Sequence, residues 1–116
     1  MRLSELLKTK EAGFELEVYD SNTDIIGYFY NDEVKDDWDR ATWKLADALE
    51  VVEIFNDKTC SVNLWELVEK NIDKFKSANL FPDNSVEGIV SEAHPIISGH
   101  ISEEGYIKFV GCLCGE

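Results

Sequence analysis

The stretch Phe14-Glu15-Leu16-Glu17-Val18-Tyr19-Asp20-Ser21-Asn22-Thr23-Asp24-Ile25-Ile26-Gly27-Tyr28-Phe29-Tyr30 contains one complete folding unit. Phe14, Leu16 and Val18 alternate with Glu15, Glu17 and Tyr19, the period of a half-buried strand. Asp20 to Asp24 is a run of side chains that bond their own backbone and favour a turn. Ile25 to Tyr30 is β-branched and aromatic, so the two runs predict an antiparallel hairpin. Upstream, Leu3, Leu6 and Leu7 predict a short helix over 3–9.

Downstream, the pattern changes period. Asp37 to Leu49 predicts a helix, with acids in its first turn and Trp38, Ala41 and Leu45 on one face. Val51–Phe55 and Thr59–Val62, joined by Asn56-Asp57-Lys58, predict a second hairpin. Asn63 and Glu66 fit a helix start, and Leu64, Leu67, Val68, Ile72 and Phe75 carry that helix to about Ser77. Leu80 to Asn84, with Pro82, ends it. Residues 86–93 suit a strand or a short helix. Ile96–Ile101 and Tyr106–Leu113 predict two further strands around a Ser102–Gly105 hairpin loop. Three hairpins and two main helices give an α+β fold, an antiparallel sheet with the helices on one face. At 116 residues the chain is expected to be one compact domain, 1–116.

Charge narrows the function. Eleven Lys or Arg against 24 Asp or Glu give a net charge of −13. Nucleic acid is therefore not an expected direct partner, because phosphates need a basic footprint. No run is long enough to span a membrane. The start, with Glu5 and no apolar core, does not read as a secretory signal. Cys60, Cys112 and Cys114 form no complete disulfide framework and point to a reducing cytoplasm.

Motif tests mostly fail. Asp20, Asn22 and Asp24 open like a calcium loop, but Ile25 stands where Gly is needed and Asn31 where a bidentate Glu is needed. His94, His100, Cys112 and Cys114 could be drawn as a zinc set, but Cys-x-Cys with His-x5-His is not a usual spacing. Acidic surroundings oppose a thiolate nucleophile. No phosphate loop or nucleophile elbow occurs. No cofactor is expected, and the chain is not expected to be an enzyme.

The acid is clustered. Asp32, Glu33, Asp36, Asp37 and Asp39 stand against a single Lys35, a local net charge of −4. Arginine forks grip carboxylate and phosphate with the same geometry, so such a segment can stand in for nucleic acid in a basic groove. Trp43 lies off the apolar stripe, flanked on its helix face by Asp39 and Asp47, and is the expected apolar anchor.

The segments Leu3-Ser4-Glu5-Leu6-Leu7, Glu15-Leu16-Glu17-Val18-Tyr19-Asp20 and Ile26-Gly27-Tyr28-Phe29 resemble small acidic proteins of phages and mobile elements of Gram-positive bacteria. Those proteins often open with a Leu-rich helix and a V-Y-D … G-Y hairpin. Some of them are anti-CRISPR inhibitors that occupy the groove with which a Cas9-type effector reads its target-adjacent motif. The resemblance is confined to residues 3–29 and implies a phage-encoded, cytoplasmic inhibitor acting by DNA mimicry. Other expectations are an immunity protein for a basic nuclease toxin, a small metal-dependent enzyme, or a self-assembling structural phage protein.

Overall fold

The computed structural model describes residues 1–114. The elements run α1 (Leu3–Lys8), β1 (Glu15–Asp20), β2 (Ile25–Tyr30), α2 (Asp37–Ala48), β3 (Val51–Asn56), β4 (Thr59–Val62), α3 (Leu64–Lys70), α4 (Ile72–Ala78), α5 (Val86–Ile97) and α6 (Glu103–Cys114). The fold is α+β, with six helices and one four-stranded sheet among the described residues.

The first two hairpins form as their turn chemistry demands. They meet through β1 and β4, giving the strand order β2-β1-β4-β3. β1 and β4 run parallel, with Glu17 opposite Thr59 and Asp20 opposite Val62. The sheet is thus mixed and not purely antiparallel as expected. Local turn signals fix the strand direction within each hairpin but not between hairpins.

The third hairpin does not exist. Ile96–Ile101 and Tyr106–Leu113 belong to a helix pair and its connection. Ile89, Val90, Ala93, Ile96 and Ile97 are all buried, as are Tyr106, Phe109, Val110 and Leu113. Adjacent buried residues such as Phe109 and Val110 would point to opposite faces of a strand, whereas on a helix they share one stripe. Ser85 starts α5 by accepting the Gly88 N–H at 3.1 Å. Ser102 does the same for Gly105 at 3.2 Å, beside Glu103 and Glu104 in the first turn of α6. α5 ends in a left-handed stop: Gly99 has φ 82°, its N–H donates to Ile96 O, and His100 N–H donates to Pro95 O at 2.7 Å. That paired closure is the Schellman pattern.

The helix expected over 64–77 is interrupted at Asn71. The Asn71 side-chain amide donates to Leu67 O at 2.8 Å, so it competes for a helical carbonyl and turns the chain there. Upstream, Asn63 caps α3 by accepting the Glu66 N–H, and its amide donates to the Glu66 carboxylate.

The inward face of the sheet, with Leu16, Val18, Ile26, Phe29, Cys60 and Val62, is buried against the helices. Phe75, Phe81 and Phe109 close the far end of the core, with ring centroids 5.9–6.3 Å apart. Each such side chain contributes about 1.5–3 kcal/mol by burial. Gly27 lets α5 approach closely, since a Cβ there would lie 2.7 Å from Ile97 Cγ2 and 3.1 Å from its backbone. Buried Asp20 joins β1 to α3: Oδ1 accepts the Leu64 and Trp65 N–H groups at 2.8 and 3.3 Å, and Oδ2 accepts from Asn22 N and Thr23 Oγ1.

Candidate functional site

After Tyr30 the chain leaves the sheet at Asn31, which is pinned by bonds to Lys10 O and Phe14 O. Residues 32–37 are then exposed without interruption. This is the acidic segment, and its members do different work. Asp36 caps α2 by accepting the Asp39 N–H at 2.9 Å, while the Asp39 carboxylate accepts the Lys35 N–H at 3.2 Å. The pair satisfies two free donors at a helix start. Asp37 pairs with Arg40 one turn on. Asp32 and Glu33 precede the helix and have no part in capping it.

The five acids do not all converge on one site. Asp32, Glu33 and Asp39 line a cleft of about 200 Å³, while Asp36 and Asp37 lie outside it. The rest of its lining comes from residues 28–30 of β2, from Trp38, Thr42 and Trp43 of α2, from Ile97 to Gly99 and from Tyr106. Trp38 lies against Tyr106, with centroids 4.1 Å apart. The Tyr106 hydroxyl donates to Thr42 Oγ1 at 3.0 Å, and burial pushes its pKa up to about 12. Trp43 is half-buried. Its indole N–H donates to Asp32 O at 3.3 Å, and Lys8 Nζ sits 5.9 Å from its ring centroid. It braces the acidic loop more than it offers a free anchor. Tyr28 and Tyr30 are exposed, at 43% and 47%, and stand opposite Glu17 and Glu15 on β1.

Charge and motif alone do not single out those tyrosines. Their signal is in the alternation itself: Tyr19, Tyr28 and Tyr30 occupy the outward positions of their strands, between inward Val18, Gly27 and Phe29. An aromatic at a solvent position keeps an apolar ring in reach of a partner.

The other candidate sets disperse. The calcium-like run is a hairpin turn, its Asp20 oxygens consumed by the bonds to Asn22, Thr23, Leu64 and Trp65. His94 Nδ1 is engaged with Ile25 O. Cys112 lies by Lys74 O of α4, and Cys114 by Lys44 O of α2, because i and i+2 diverge on a helix. Among the described residues no group of three or more His, Cys, Asp or Glu is placed to hold a metal ion. Desolvation raises all three thiols, Cys60 to about 11, which keeps them protonated and weakly nucleophilic at neutral pH. No described helix is long and apolar enough to cross a membrane.

No family model, no curated protein and no solved structure matches this chain.

Proposed function

We propose that this is a non-enzymatic binding protein of the cytoplasm that blocks a basic, nucleic-acid-handling partner by DNA mimicry, a phage-encoded inhibitor of a CRISPR effector being the specific case. The observation that carries the reading is the uninterrupted exposure of residues 32–37 beside a cleft lined by Asp32, Glu33 and Asp39 together with Trp38 and Trp43. Carboxylates offered at the mouth of an aromatic cleft can take the cations with which a partner grips phosphates. The net charge of −13 steers such a partner in from a distance.

The clean test is charge reversal at Asp32 and Glu33, because reversal at Asp36 or Asp37 also disturbs the start of α2. Capture of purified CRISPR effectors, with and without guide RNA, is the assay. The parent protein should bind with an affinity that falls steeply with salt. Asp32→Lys with Glu33→Lys should weaken binding by about tenfold or more while the circular dichroism stays unchanged. Equal binding by parent and variant overturns the acidic-loop reading. Capture of a nuclease toxin instead of an effector would redirect it to an immunity protein.

A further inference from the structure

The sheet face turned away from the helices carries two kinds of side chain in contact. β1 contributes Glu15, Glu17 and Tyr19, β2 contributes Tyr28 and Tyr30, and the register sets Glu15 opposite Tyr30 and Glu17 opposite Tyr28. The Tyr19 hydroxyl donates to Glu17 Oε1 at 2.6 Å, and the Tyr30 hydroxyl to Glu15 Oε1 at 3.2 Å. Phe55 of β3 extends the strip by meeting Tyr19 edge to face at 6.5 Å. Glu17, as acceptor and as charge, raises the pKa of Tyr19 and Tyr28; partial burial and then Glu15 raise that of Tyr30. The phenols therefore stay neutral at physiological pH, and the negative charge is confined to the carboxylates between the rings.

Charge complementarity selects what can cover this face. An apolar partner would strip water from two glutamates and leave them unpaired. An anionic partner is repelled. An ammonium can meet the carboxylates, but it is compact and strongly hydrated. A guanidinium is planar and can lie over a tyrosine ring while forking to a carboxylate. The fold uses related contacts itself, with Lys8 over Trp43 and Lys10 over Phe14 at 5.9 and 5.1 Å. Among the described residues no such contact covers Tyr19, Tyr28 or Tyr30.

We propose that the open sheet face is a docking surface for an arginine-bearing segment of a protein partner, its guanidinium groups stacking on Tyr28 and Tyr30 and forking to Glu15 and Glu17. The inference rests on the reading of the protein as a binder of basic partners, and it adds which basic side chain is selected.

Calorimetric titration with an oligo-arginine and an oligo-lysine peptide of equal length tests it. The parent should bind the arginine peptide about tenfold more tightly. Tyr28→Leu with Tyr30→Leu, which keeps apolar bulk but removes both rings, should bring the arginine peptide down to the lysine level and leave the lysine peptide unchanged. Tyr28→Phe with Tyr30→Phe should retain the preference, and it serves as the folded control. Asp32→Lys with Glu33→Lys should weaken both peptides by one factor and preserve their ratio. Equal binding of the two peptides by the parent, or a preference that survives loss of the rings, overturns the proposal while leaving the acidic-loop reading intact. If neither peptide binds, both fall.

Discussion

At position 27 a side chain has nowhere to go, since the space its Cβ would fill is occupied by Ile97. Gly27→Ala should lower stability by about 1–3 kcal/mol, read as a reduced urea midpoint at unchanged slope. Asp20 is the converse, a buried charge retained because four donors surround it. Asp20→Ala frees the Leu64 and Trp65 N–H groups, and the loss should be about 3 kcal/mol. Tyr106 makes stability depend on alkali. Its folded pKa of about 12 stands above the ordinary value of 10.0, so the folded state holds the proton more tightly. Its contribution is complete below pH 10 and is lost as the pH rises through 12. Tyr106→Phe should flatten the fall in stability between these values, as measured by denaturant midpoints across that range.

Helices α5 and α6 show where a reading by element is vulnerable. Ile96, Ile97 and Ile101 look like strand residues by type, and Gly99 looks like an interruption. Gly99 is in fact the helix stop, at φ 82°. Gly99→Ala should cost about 1 kcal/mol, seen as a lower thermal midpoint. The first 62 residues were legible because alternation and turn residues agree there. The last third was not, because β-branched composition argued against a helical spacing that only tertiary burial reveals. The acidic site was legible in the same partial way. Its charges could be counted from the sequence, but their duties could not. Asp36→Ala should cost about 1 kcal/mol through the lost cap, whereas Asp32→Ala should leave stability nearly unchanged and act on binding alone.

Across the whole molecule, the two hairpins and the helix layer form one body with a radius of gyration of 13.2 Å. That is close to the roughly 13 Å expected for a compact chain of this size. The one-sided layering gives the surface its division of labour, with helices sealing one face of the sheet and tyrosines and glutamates left on the other. The parallel junction of β1 and β4 has a further meaning, in time. Each hairpin can close locally, but Glu17 and Thr59 can pair only after the intervening β2, α2 and β3 have been drawn into a large loop. That closure must be completed before its contacts reward it. Truncations of Val18 and Val62 should therefore slow refolding in stopped-flow traces, whereas truncation of exposed Ile54 at the sheet's outer strand should act mainly on unfolding. The seam between the hairpins should then be the joint whose closure sets the pace of folding.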